Sequence, residues 1–334
     1  MRTINDFSTE LKELQQRKRD DKSRLADIRM QDGKLFSPKF VEGGDLTLHA
    51  GNQLSERLGI PSKYFNLMKE RKELGLLDHN VNTWLQKAPD ETFFLRGMSN
   101  GHLKVRAVLS DMYRIIDNED VFFCTLDELN NKRCDIEALN LTDDFMTVQF
   151  KSQDLMKDVR AGDTVIGGIS IRNSEIGLSS VQVIPRIFRI QCTNGMVLEQ
   201  FKTKQVHLGK GDGGEFESGQ VYNQIRLSIR HTFESFGAIV EMMKSSTDWR
   251  FDAAKIATVI QNVVTRFNLT EAQKENLLVA WGAEPENTIY GLANTITRAA
   301  QSEKSFEGRY ALEAIGGQIL TTEPKVIYDS VLAV

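Results

Sequence analysis

Residues 161–201, AGDTVIGGISIRNSEIGLSSVQVIPRIFRIQCTNGMVLEQF, restrict the fold of this chain more than any other stretch. Val165, Ile169 and Ile171 surround the pair Gly167-Gly168, and a polar, turn-rich segment follows at Asn173–Gly177. Val181 to Ile190 is a second β-branched and aromatic run. Pro185 inside it has no N–H to donate, which points to an edge or a bulge. Cys192-Thr193-Asn194-Gly195 predicts a tight Asn-Gly turn into Met196–Phe201. The reading is two or three consecutive strands joined by short turns. Arg172, Arg186 and Arg189 are embedded in them. An arginine held among apolar residues is satisfied by a carboxylate or presented to an anion.

Other segments extend the sheet. Thr92–Arg96 and His102–Ser110 predict a hairpin, with Leu103, Val105, Ala107 and Leu109 on one face and Lys104 and Arg106 on the other. Phe145–Lys151 alternates as a strand. A long helix is expected from Ser218 to Lys244, because Tyr222, Ile225, Ile229, Phe233, Phe236, Val240 and Met243 form a continuous helical stripe. Helices alone follow, at about Asp252–Phe267, Glu271–Trp281, Thr288–Ala300 and Phe306–Ile319. Thr270-Glu271-Ala272-Gln273 reads as a capping box. The expected class is α+β: an antiparallel sheet, a long amphipathic helix on it, and a C-terminal helical region. The domain reading is a charged N-terminal arm at 1–45, an α+β core at 46–246 and a helical region at 247–334.

Length and composition bound the function. A chain of 334 residues, 40% hydrophobic and 26% charged, supports a large core. No apolar run reaches membrane-spanning length, and the charged N-terminus is unlike a signal peptide. Three cysteines, Cys124, Cys134 and Cys192, have no close pair, so neither a disulfide framework nor a zinc site is expected. These features point to the cytoplasm. The net charge of −4 does not advertise a nucleic-acid binder, although a local basic groove matters more than the total.

Enzyme signatures are sparse. Gly209–Gly214 lacks the Gly-Lys-Ser/Thr closure of a phosphate-cradling loop, no Gly-x-Ser-x-Gly elbow occurs, and the five histidines are dispersed. Asp111, Asp163 and Glu175 are the acidic candidates for a metal-dependent nucleic-acid enzyme, which would need them to converge. No cofactor or metal is expected. Cations are better represented. Between Arg186 and Arg230 stand seven Lys/Arg against four Asp/Glu. The candidate nucleic-acid contacts are Arg106, Arg114, Arg172, Arg186, Arg189, Lys202, Lys204, Lys210, Arg226 and Arg230, as a phosphate-tracking groove would require. Tyr113, Phe188 and Tyr222 are candidates for stacking on bases.

Five segments together carry a resemblance. They are SERLGIPSKYF (Ser55–Phe65), NVNTWL (Asn80–Leu85), Arg106–Val121 with Leu109-Ser110-Asp111-x-Tyr113-Arg114, Ile169–Met196 with Asn173-Ser174-Glu175-x-Gly177, and NTIYGLANTIT (Asn287–Thr297). In this order they resemble the phage- and plasmid-borne proteins of domain of unknown function family 932. The resemblance implies a mobile-element setting in a bacterial host cytoplasm. The order of strands followed by a long helix is also distantly similar to Rad52-type single-strand annealing proteins, which form rings around a basic groove. The expected function is a recombination or replication protein that binds single-stranded DNA and promotes annealing as a homo-oligomer. The alternatives are a non-enzymatic assembly factor of a mobile element and the metal-dependent enzyme above.

Overall fold

The computed structural model describes residues 3–190, 194–205 and 215–332. The chain divides into two units. One comprises Met1–Phe122, Asn173–Ser180 and Val206–Gln220; the other comprises Phe123–Arg172, Val181–Gln205 and Val221–Val334. The class is α+β.

The first unit runs α1 (Ile4–Arg17), β1 (Lys18–Arg24), β2 (Arg29–Gln31), β3 (Lys34–Phe36), β4 (Gly44–Leu46), α2 (Leu48–Arg57), α3 (Ser62–Glu70), α4 (Leu74–Leu85), β5 (Thr92–Ser99) and β6 (Leu103–Ser110) and reaches the start of α5 (Asn118–Leu129). Its sheet has the order β1-β5-β6-β4-β3-β2, antiparallel except for the β4–β6 pair. The first 45 residues are therefore not an arm. A capping box between Thr3 and Asp6 starts α1, whose Phe7 ring meets Phe122 edge-on at 5.1 Å. The run KRDDKSR reads as a charged helix, yet it pairs with β5 from Lys18↔Met98 to Arg24↔Thr92. The inward positions explain this. Asp21 is buried and accepts from Ser37 Oγ at 2.6 Å and from the Lys39 amide at 3.0 Å, so the polar side chain is satisfied inside. Helices α2, α3 and α4 close this core, with Leu54, Phe65, Leu77 and Val81 packed against Val105 and Val108.

The second unit continues with β7 (Cys134–Leu141), β8 (Met146–Arg160), β9 (Asp163–Asn173), β10 (Val181–Arg189), β11 (Asn194–Val197), β12 (Thr203–Gln205), α6 (Glu215–Ser246), α7 (Ile256–Phe267), α8 (Glu271–Ala283), α9 (Ile289–Ala299) and α10 (Phe306–Thr321). Its sheet has the order β11-β10-β9-β8-β7, with β12 also on β10. The strands between Thr92 and Phe201 thus belong to two sheets rather than one, and the Thr92–Ser110 hairpin is in the other unit.

The β10–β11 hairpin forms, but Asn194 and Gly195 are not its turn. Asn194 and Gly195 are strand residues opposite Arg189 and Phe188; Cys192 and Thr193 fall outside the described residues. Pro185 sits where β10 changes partner, between β12 opposite 181–183 and β11 opposite 186–189. Its missing N–H therefore costs no ladder bond on that side, while its carbonyl accepts from Leu198 at 3.0 Å. Of the predicted α6 stripe, Ile225, Ile229, Phe236, Val240 and Met243 are buried, while Tyr222 and Phe233 are half-buried. Phe236 and Val240 pack with Val165, Ile187 and the α9 residues Tyr290 and Leu292. The capping box at Thr270 and Gln273 is present.

Helix α10 lies against β11. A Cβ on Gly317 would collide with the Val197 carbonyl, and one on Gly316 would meet Thr297 of α9 at 2.5 Å. Gly317 thereby sets how closely α10 approaches the sheet, and Gly316 how closely it approaches α9. Among the described residues no helix is long and apolar enough to cross a membrane.

Candidate binding site

The β9–β10–β12 register brings part of the predicted cation set together. Gln182 stands opposite Arg172 on β9 and opposite Lys204 on β12. These three form one cross-strand row and point to one face. Arg186 and Phe188 lie further along β10 on the same face, by the period of two. Arg172 bonds Glu307 at 3.0 Å. Its guanidinium also sits over the rings of Phe145 at 3.9 Å and Tyr310 at 5.2 Å. Lys204 is exposed.

Arg186 is 1% exposed. Its Nη2 donates to Glu313 Oε2 at 2.6 Å, and its guanidinium lies 5.2 Å from the Phe188 ring centre. Its Nε and Nη1 are buried with no hydrogen-bond partner among the described residues. A cavity of about 290 Å³ opens here between the sheet and α10. Arg186, Phe188 and Gln149 form its sheet side, with Glu137 also at the lining; Phe306, Arg309, Tyr310 and Glu313 come from α10. Gly195 completes the sheet side. A Cβ there would collide with Arg186 Nη2 and stand 3.0 Å from Glu313 Oε1. Burial raises the Glu313 carboxyl above its ordinary range against the opposing pull of Arg186. Tyr310 donates to Glu199 Oε1 at 2.8 Å, and burial together with that carboxylate pushes its phenol up, so it stays protonated.

The other predicted contacts do not join this face. Arg189 is 4% exposed and held by Asp163 at 2.6 and 2.9 Å and by Glu284 at 2.5 Å. Asp163 also accepts from Tyr290 at 3.1 Å. The arginine is thus internal to the protein rather than a phosphate contact. Lys202 bonds Glu199, Arg226 donates to Asn223 at 3.3 Å, and Arg230 forms a two-bond pair with Glu128 at 2.8 Å. Arg106 and Arg114 are in the first unit, both half-buried, and Lys210 lies outside the described residues. Among the described residues of the second unit, the predicted cations therefore do not share one groove.

Arg106 enters a buried charge network inside the first unit. It bonds Glu175 Oε2 at 3.3 Å, while Glu175 Oε1 accepts from Lys18 at 2.6 Å and from the Asn118 amide at 2.8 Å. Asp117 bonds Lys18 at 3.1 Å, Arg96 at 2.8 Å and Gln15 at 3.0 Å. Arg96 is 2% exposed and also donates to both oxygens of Asp20 and to the Glu175 carbonyl. Burial alone would raise the Asp117 carboxyl, but Arg96 and Lys18 outweigh it and hold it at about 2. Asp111 and Glu175 are in the first unit and Asp163 in the second, with Glu175 and Asp163 engaged by cations. Among the described residues no group of three His, Cys, Asp or Glu side chains is placed to hold a metal.

Sequence reasoning missed Glu313, Tyr310 and Phe306. They face the sheet from a helix more than 100 residues later, with 127 positions between Arg186 and Glu313. The available signal was Arg186 itself, embedded among apolar residues. Set against known protein families, curated proteins and solved structures, the chain matches none.

Proposed function

We propose that this protein binds single-stranded DNA and promotes annealing of complementary strands as a homo-oligomer, in the recombination or replication of a mobile element within a bacterial cytoplasm. One observation carries the reading. One face of the second sheet carries Arg172, Arg186, Lys204 and Phe188, and against it lie the rings of Phe145, just before β8, and of Tyr310 from α10. Proteins that hold single strands combine cations along the backbone with rings on which bases stack. Annealing needs pairing geometry and charge neutralisation, and asks for no metal or nucleotide hydrolysis. Exposed Lys204 and Arg309 supply phosphate contacts, and Arg172 lies beside the stacking rings. The resemblance of Leu109–Arg114 and Asn173–Gly177 to phage-borne proteins supplies the biological setting.

The test is fluorescence anisotropy of a labelled single strand over a salt series, with the mass of the protein measured in parallel. The reading expects binding that weakens steeply with salt, a multimeric mass, and weaker binding by Lys204→Glu and Arg309→Glu with unchanged melting. Absence of binding at low salt overturns it. A second reading, an assembly factor that binds protein, is favoured by the pairing of at least six of the nine described candidate cations with carboxylates. It expects self-association or partner capture with no DNA binding.

A further inference from the structure

We propose that the cavity between the second sheet and α10 holds a guanine base; this rests on, and deepens, the single-strand reading above. The cavity is about 290 Å³, at the lower end of small-ligand sites, which begin at about 300 Å³. It is suited to one base rather than to a run of nucleotides.

Four observations select the chemistry. Arg186 is buried at the cavity with Nε and Nη1 lacking partners among the described residues. A buried donor without an acceptor is destabilising, so a ligand acceptor placed there is recovered as binding. Both signs of charge line the cavity, Arg186 and Arg309 with Glu137 and Glu313, and Glu137 is also paired with Lys151 at 2.7 Å. A phosphate or carboxylate would gain from the arginines and lose against the glutamates. A neutral group with an acceptor edge beside a donor edge gains from both. Phe188, Phe306 and Tyr310 supply rings, and a flat heterocycle stacks on such walls. Finally, residue 195 is glycine, and a Cβ would press on both Arg186 and Glu313.

Guanine meets these conditions best among the bases. Its O6 and N7 accept from an arginine fork, the commonest specific arginine–base pairing. Its N1–H and N2–H₂ donate to carboxylate oxygens, and Glu313 Oε1 faces the same wall as Gly195. Adenine offers N7 but presents a donor where guanine has O6. Pyrimidines lack the N7/O6 edge altogether.

The experiment compares anisotropy of labelled oligothymidylate with the same strand carrying one central guanine, 7-deazaguanine or adenine, and adds free dGMP as competitor. The guanine strand is expected to bind about tenfold more tightly than oligothymidylate, with 7-deazaguanine and adenine losing most of that gain. Gly195→Ala is expected to abolish the preference while leaving binding of oligothymidylate in place, and Arg186→Lys to abolish the preference, with folding checked by melting. Competition by dGMP at strand-like affinity identifies the free nucleotide as the source of the base; weak competition identifies the strand. If every strand binds equally and dGMP does not compete, the guanine site is overturned while the single-strand reading stands. If dGMP binds and no strand does, the site stands and the single-strand reading falls. Should Arg186→Lys fail to fold, the wild-type contrast between guanine and 7-deazaguanine still decides.

Discussion

Each unit of this protein buries an arginine on a sheet, and the two are treated differently. In the first unit Arg96 is closed. It bonds Asp20, Asp117 and the Glu175 carbonyl, and Lys18 and Arg106 complete the balance around the carboxylates. In the second, Arg186 has, among the described residues, one carboxylate, two nitrogens without partners and a cavity beside it. An arginine each of whose guanidinium nitrogens already has a partner, as in Arg96, is committed to the chain itself and serves specificity of folding. An open one retains hydrogen-bonding capacity for something that is not part of the chain. Burial of an arginine is therefore not itself a sign of function; the accounting of its donors is.

The largest expected effect tests that distinction. Arg96→Ala removes the cation that Asp20 and Asp117 share and leaves the buried Asp117 with Lys18 alone, and a loss of about 3–5 kcal/mol is expected, read by urea denaturation. Arg186→Ala leaves only Glu313, whose carboxyl burial already raises and which escapes by taking a proton. A smaller loss of about 1–3 kcal/mol is expected there. Equal losses would erase the difference between the regions.

Next in size is Gly317→Ala. Its Cβ would collide with the Val197 carbonyl and lift α10, the helix that roofs the cavity. Overpacking of this kind costs about 1–3 kcal/mol, and the guanine preference should fall with it. Unchanged melting together with unchanged preference would show that α10 does not need this approach.

The pH responses should also diverge. Asp117 is held at about 2, down from 3.8. Its stabilising contribution is complete above the ordinary carboxylate value and is lost as pH falls from about 4 to about 2. Glu313 is raised, so its protonated form favours the folded state. That contribution is present below the ordinary glutamate range and is lost as pH rises through the raised value. Carboxyl carbon NMR titrations of the two residues check this, and movement in the same direction would contradict it. The smallest effect expected is at the start of α10. Ser305 accepts from the Gly308 amide at 3.0 Å, and Ser305→Ala should cost about 1 kcal/mol in thermal melting while leaving the first unit's network intact.

The legible parts of the fold were those with local periodicity. The α6 stripe, the β5–β6 hairpin, the C-terminal helices and the capping box at Thr270 all rest on spacing within one element. Strand β1 was not legible, because KRDDKSR has no apolar alternation; its inward Asp21 is satisfied by Ser37 and Lys39 instead. Asn194 and Gly195 are strand rather than the expected turn because pairing with Arg189 and Phe188 across β10 outweighed the local Asn-Gly preference. The site was legible by halves. Arg172, Arg186 and Lys204 stood out as cations on strands, but local charge cannot distinguish Arg186 from Arg189. The difference between them is the cavity beside one and the pair of carboxylates, Asp163 and Glu284, around the other.

The most direct test of the open-against-closed account is arginine Nε–H NMR on protein labelled at arginine, with Arg96 and Arg186 assigned through single Lys substitutions. Saturating guanine-bearing single strand should shift the Arg186 Nε–H signal and leave that of Arg96 in place. A moved Arg96 signal, or an Arg186 signal unmoved at saturation, would contradict it.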